Sequence, residues 1–428
     1  MTIPKPQTGH SAIDYRAKSS EHVLSVLKAF LHRHYWWVLF SLLLLTAGWL
    51  RFASFDFGLP YVEHLDEPNY YLAGQEWRGL FNNQGYYQNV PPGYIIIHTV
   101  AQPILEMLGI SGLAPTIAVM RGLAVLANLI TLVLIALTAR LAAGHFAGLI
   151  AGALWAFSPL VLENGVYALP DPLLYLLSAL ALWLAVHALI APGQRAYWVV
   201  WSTIASLVAV IIKYTVVPLL LPGVMAALWL TWKQRKHSRY LLLQIALIAV
   251  VGIWLVFIYG VDFNNLQREG SVVQQSGLAN MLDINRVLHN FYQVFVPLYA
   301  PAFFTIAFLG FIAWIIAGRW SRLRVKAEVV ILCLTLVTAI PWIISSFSFV
   351  QPEVRIRDVM PATVAACVLL GVAAAQIIYL LPPKQQHWGI LSLTAVLSIT
   401  IFIPHLRADW NLVQERRLPD WSTPSFLE

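Results

Sequence analysis

Runs of about 20 mostly apolar residues recur along this sequence, and a run of that length is what a bilayer-crossing helix needs. Spans fall near 34–53, 116–140, 146–161, 172–191, 197–212, 215–232, 240–260, 299–318, 327–349, 360–380 and 388–405, eleven in all. Composition agrees. Of 428 residues, 59% are hydrophobic and 11% charged, where a soluble domain carries about 25% charged residues. The expected fold is all-α: a polytopic transmembrane helix bundle of about 11 spans. A net charge of +7 does not point to nucleic acid, because the basic residues sit in short blocks between spans, which is the pattern of membrane topology. Cys333 and Cys367 lie inside apolar runs and read as core residues, with no disulfide framework or zinc site implied.

The basic blocks set the orientation. Arg16, Lys18, Lys28 and Arg33 place residues 1–33 in the cytoplasm, with the first span as an uncleaved anchor. Eleven spans then put both Lys233–Arg239 and Arg319–Lys326 on the inner side. Residues 34–405 form the transmembrane domain, and a C-terminal tail, 406–428, falls outside, against which its Arg407, Arg416 and Arg417 count mildly. Gly93–Ile110 is the one ambiguous segment. His98, Gln102 and Glu106 are spaced four apart and line one helical face. An amphipathic helix in the interface fits this pattern, whereas a twelfth span would turn both basic blocks outward. The first external loop, 54–115, thus contains interfacial juxtamembrane helices and six acidic residues against one basic residue, Arg78.

Within that loop, Leu59–Tyr71 (LPYVEHLDEPNYY) packs Glu63, His64, Asp66 and Glu67 into five residues. Topology brings further charges to the same side: Asp171, Lys213 at a span end, Arg355, Arg357, and Arg121 a few residues inside the second span. Only Arg121 lies clearly within an apolar run, and a buried arginine needs a partner. These types suit the transfer of a sugar from a lipid phosphate to a hydroxyl. A carboxylate takes the acceptor proton, cations hold the leaving phosphate, and an apolar groove takes the lipid tail. Plainer readings stand beside this one. Asp66–Glu67–Pro68 suits the start of a helix at Pro68. Asp171 between two prolines suits a turn, Lys213 can snorkel, Arg355 and Arg357 can be loop charges, and His64 can be a solvated loop residue.

Four stretches carry a family resemblance: LPYVEHLDEPNYY; Val90–Gly109 (VPPGYIIIHTVAQPILEMLG); Met120–Tyr175; and Val354–Ala362 (VRIRDVMPA). The Lys-Tyr pair in AVIIKYTVVPLLLP adds to them. Together they resemble the membrane glycosyltransferases of the C-type (GT-C) fold, nearest to glycosyltransferase family 39, the protein O-mannosyltransferases and aminoarabinose transferases. The resemblance implies a polyprenyl-phosphate-linked sugar donor, a single inverting displacement, and a site at the outer face of the plasma (inner) membrane. By the same resemblance Asp66 is the general base and Glu67 positions donor or acceptor. Lys213, Arg357, Arg121 and Arg355 hold the donor phosphate. Asp171 and His64 are orienting residues or candidate ligands for a divalent metal ion, whose need stays open. Asn89 and Val90 precede Pro91-Pro92 where some relatives carry an acidic residue, and RDVMP replaces the commoner RYLLP. No soluble C-terminal domain is expected to help recognise the acceptor. Partners are the lipid-linked donor, membrane lipid and an acceptor of open identity.

Two alternatives are weighed against the transferase. A transporter or flippase of lipid-linked sugars would use the same charged site without breaking the glycosidic bond, and charge buried in several spans would favour it. A polymerase or ligase of oligosaccharides usually needs long external loops, which only Val261–Val296 offers.

Overall fold

A computed structural model of the chain describes residues 34–53, 55, 57–59, 66–79, 91–190, 196–255 and 356–417, with short pieces between 302 and 337. The helices, in chain order, are α1 (His34–Phe52), α2 (Asp66–Trp77), α3 (Pro92–Met107), α4 (Leu113–Ala143), α5 (His145–Ala156), α6 (Pro159–Asn164), α7 (Asp171–Ile190), α8 (Trp198–Ile212), α9 (Leu220–Lys233), α10 (Ser238–Ile253), α11 (Ile356–Leu380) and α12 (Pro383–Arg416). Seven segments among the described residues are long and apolar enough to cross a membrane, and α5 and α8 are shorter apolar helices. Nine of the eleven expected spans fall on this set. The spans near 299–318 and 327–349, apart from the short pieces, the loop Val261–Val296 and the block Arg319–Lys326 lie outside the described residues.

Two boundaries differ from expectation. The third span is two helices, because Pro159 has no N–H to continue the hydrogen-bond ladder of α5 and instead occupies the first position of α6. The last span does not end at residue 405. It runs to Arg416 through a π-helical turn at Ser398–Phe402.

Small residues let the central helices approach closely, as membrane bundles require in place of a hydrophobic driving force. Gly148 lies against the Ala136 carbonyl and Gly371 against the Ala147 carbonyl, which binds α4, α5 and α11 into one core. Gly144 (φ +91°) allows the sharp turn between α4 and α5, and a side chain there would meet the Tyr379 hydroxyl. At this end of the bundle Trp36 donates to the His145 carbonyl (3.1 Å) and the Arg140 guanidinium lies 4.2 Å from the Trp36 ring. Tyr379 donates to the Ala143 carbonyl (3.0 Å). The opposite end gathers the end of α1, the start of α4, the α6–α7 loop and the end of α12.

On that end lies the α2–α3 pair. Helix α2 starts at Asp66, two residues before Pro68, with Asp66 and Glu67 in its first turn, where the helix dipole favours acidic groups. Helix α3 turns its polar face inward. His98 and Gln102 are buried against α2, and Gln102 donates to the Tyr71 carbonyl at 2.8 Å. Arg78 forms a two-bond ion pair with Glu106 (2.8 Å each), which raises the arginine pKa and lowers the carboxyl pKa. Ile96, Val100, Ile104 and Met107 are left exposed on the other face. This amphipathicity suits a helix lying at a lipid interface. Gly93 fixes the start of α3, because a Cβ there would sit 2.9 Å from the Ile211 carbonyl at the end of α8.

His98 stacks on Tyr70 and meets Tyr94 edge to face, with no hydrogen-bond partner for either ring nitrogen among the described residues. Burial lowers its pKa from 6.5 to about 4. The unfolded chain takes this proton as pH falls through about 6.5, the folded chain only near 4. Between those values the unfolded state binds more protons, so stability should fall with falling pH, by at most about 1.4 kcal/mol per unit from this group. Thermal midpoints measured from pH 7 to 4.5 should show that slope, and His98→Leu should flatten it. An unchanged slope in the variant assigns it to other groups.

Candidate active site

The buried centre of the site is an ion pair between α2 and α4. Arg121 donates to Glu67 through Nε (2.8 Å to Oε1) and Nη2 (2.6 Å to Oε2), and both side chains are fully buried. The Ala168 N–H donates to Glu67 Oε1 at 2.7 Å. Arg121 Nη1 donates to the carbonyls of Phe57 (2.6 Å) and Phe55 (3.2 Å). Two buried charges are tolerable only when their remaining donors and acceptors are met in this way. Phe57 and Tyr167 place their rings 4.6 and 5.8 Å from the same guanidinium. Asp66 precedes Glu67 as the first residue of α2 and is partly exposed.

A second ion pair joins α7 to the end of α8. Asp171 opens α7, in whose first turn the Leu173 and Leu174 N–H groups donate to the Pro170 carbonyl. Lys213 ends α8 in an extended conformation (φ −155°, ψ 117°), and Tyr214–Leu219 continues as a 3-10 turn. Lys213 Nζ lies 3.0 Å from Asp171 Oδ1; the lysine side chain keeps 20% of its exposure, the aspartate 4%. Tyr94 of α3 lies near enough to Glu67 and Asp171 to feel both charges. Its ring is buried, and burial, Tyr70, Glu67 and Asp171 together push its phenol pKa well up.

The structure thus brings Asp66, Glu67, Arg121, Asp171 and Lys213 to one end of the bundle. Arg357 lies in the first turn of α11, and its side chain is outside the described atoms. His64 and Arg355 lie outside the described residues. Among the described residues no three His, Cys, Asp or Glu side chains are grouped to hold a metal ion. Asp171, the candidate ligand among them, is paired with Lys213.

Sequence reasoning missed several residues. Tyr94 was hidden inside an apolar run. Arg51, at the end of α1, resembles an ordinary span boundary but is fully buried. Its Nε donates to Asn128 Oδ1 (3.0 Å), and its Nη groups donate to the carbonyls of Ala47, Ala156 and Trp155. Asp409 of α12 is buried close enough to Arg51 to feel its charge, and neither of its oxygens has a hydrogen-bond partner among the described residues. The expectation that Arg121 alone lies buried in an apolar run is therefore corrected. The available signal was Asn128, seven residues and two turns after Arg121: a polar side chain on the same inward face of α4.

A sequence profile of the family described as dolichyl-phosphate-mannose-protein mannosyltransferase matches residues 109–257. Among solved structures, the chain is similar to ArnT from Cupriavidus metallidurans bound to undecaprenyl phosphate, with a TM-score of 0.53 and 19% identity, covering 86% of this chain and 64% of that one. It is similar also to the archaeal oligosaccharyltransferase AglB from Archaeoglobus fulgidus, in complex with an inhibitory peptide and a dolichol-phosphate (TM-score 0.52, 12% identity, 89% of this chain and 56% of that one). The chain thus spans less than two thirds of either protein. No curated protein sequence matches it. At these identities the likeness is one of fold.

Proposed function

We propose that this chain, a membrane protein of the C-type glycosyltransferase fold, moves one sugar from a polyprenyl-phosphate donor to an acceptor hydroxyl at the outer face of the membrane in which it sits. The observation that carries this reading is the presence of two ion pairs, Glu67–Arg121 and Lys213–Asp171, at one end of the bundle with the partly exposed Asp66. The two similar structures hold polyprenyl phosphates, and the profile match concerns sugar transfer from such a lipid. Both support a lipid-phosphate donor here.

In the proposed step the acceptor oxygen attacks the sugar C1 from the face opposite the phosphate. Its proton passes to an Asp66 carboxylate oxygen, the bond from C1 to the phosphate oxygen breaks, and polyprenyl phosphate leaves with the bonding pair. Inversion at C1 follows from the single displacement. Lys213, partly exposed and aimed by Asp171, meets the charge that grows on the phosphate, and we assign Arg357, in the first turn of α11, to the same task. Glu67 and Arg121 have a different part. Both are buried and fully engaged with each other and with backbone groups, so they hold the start of α2 rather than touch sugar or phosphate. No step is routed through a metal.

Buried charge at Arg51 and Asp409 is the feature that would favour a flippase. Arg51, however, is wrapped by four acceptors and is a fixed brace. Proteoliposomes carrying the purified chain and a radiolabelled polyprenyl-phosphate sugar separate the two. Transfer of label with release of free polyprenyl phosphate is the expected result. Movement of intact donor between leaflets without release would replace the transferase reading with the flippase.

A further inference from the structure

Arg416, near the end of α12 and far outside the segment that matches the family profile, sits on the same two rings as Arg121. Its guanidinium lies 4.2 Å from the Phe57 ring and 5.5 Å from the Tyr167 ring. It donates through Nη2 to the Glu163 carbonyl (3.2 Å). Glu163 is the next-to-last residue of α6, and Tyr167 lies within the loop 165–170 that joins α6 to α7. Within that loop, Gly165 packs against Asn128 with no room for a side chain. The next residue after Tyr167, Ala168, supplies the N–H that holds Glu67, and Asp171 follows three residues later.

We infer that Arg416 is a positioning residue of the site: it pins the 163–168 segment, the end of α6 and the start of the α6–α7 loop, to the last helix, and through that segment it sets both Glu67, beside Asp66, and Asp171, beside Lys213. The inference rests on the transferase reading for its catalytic part. The anchorage of α12 fits this role. Trp410 stacks on Trp49 at 5.2 Å, and Val413 packs with Leu50 and Leu162. These contacts hold α12 against the end of α1, so that one turn later Arg416 reaches the loop. The same placement accounts for an arginine on a side of the membrane where basic residues are sparse. It is held between aromatic rings and a carbonyl, where a planar guanidinium suits and an ammonium does not.

The test compares Arg416→Ala and Arg416→Lys with the parent chain in two measurements. The first is hydrogen–deuterium exchange of the purified protein, which needs no substrate. Exchange should rise in peptides covering 161–170 and 66–79 in both variants and stay unchanged across α8. Unchanged exchange at 161–170, or an equal rise throughout the protein, overturns the inference. The second is transfer from a radiolabelled polyprenyl-phosphate sugar. A displacement of catalytic groups by about an ångström lowers kcat on the order of 10- to 100-fold. That loss should appear in both variants, with KM for the donor within about threefold, because Arg416 itself touches no donor. Parent-like kcat in both variants overturns the inference while leaving the transferase reading intact. A parent chain that transfers nothing removes the transferase reading, and the exchange data still decide whether Arg416 pins the loop.

Discussion

The Asp66→Asn variant is expected to reach the membrane in normal amount and to turn over about 10²–10⁴ times more slowly than the parent, the usual contribution of a positioned general base. The substitution isolates the proton-accepting role. Asparagine matches aspartate in size and is an equally good residue at a helix start, so α2 should begin where it does now and the adjoining Glu67–Arg121 pair should be undisturbed. What disappears is the capacity to take the acceptor proton. The measurement is single-turnover transfer in proteoliposomes at saturating donor, with release of polyprenyl phosphate followed separately. Binding of polyprenyl phosphate should be unchanged, since Lys213 and Asp171 belong to other helices. If the variant keeps more than about a tenth of parental turnover, Asp66 is not the base, and a residue of the 54–65 segment becomes the one to find.

The membrane class of the fold was legible in the sequence because apolar length is a local signal, and nine expected spans meet helices. The interfacial helix was legible for a similar reason. His98, Gln102 and Glu106 recur every four residues, and that spacing marks one face whatever the face meets. What it meets was not legible: the polar face lies on α2 and on Arg78, and the apolar face is left exposed. Charges could be assigned to one end of the bundle by counting spans, but their pairing could not. Glu67 finds Arg121 across 54 residues, and Asp171 finds Lys213 across 42. Arg51 escaped notice because a cation at a span end usually reaches water. Here backbone carbonyls of α1 and α5 surround it instead. Arg416 looked like a tail charge that disturbed the topology, until α12 proved to extend to the rings beside Arg121.

Breaking the Glu67–Arg121 pair from one side should destabilise the protein by about 3–5 kcal/mol, because the surviving charge stays buried without its partner. Among the described residues, Arg121→Met leaves Glu67 with only the Ala168 N–H as hydrogen-bond partner, and Glu67→Leu leaves Arg121 with only the Phe55 and Phe57 carbonyls. Both single variants should lower the thermal midpoint in detergent and the yield of folded protein. The double variant Glu67→Leu/Arg121→Met should be more stable than either single one, since removing both charges leaves no unpaired ion, and such replacements are often close to neutral. Transfer activity decides the role of the pair. A brace that only holds the fold would let the double variant recover activity along with stability. A brace that also aims Asp66 predicts otherwise. The double variant regains its thermal midpoint yet stays far below parental turnover, because apolar side chains do not reproduce the directed bonds from Arg121 Nε and Nη2 and from Ala168 that orient the first turn of α2. Recovery of both properties together would separate Glu67 from catalysis and leave Asp66 to be positioned by the α2–α3 contact alone.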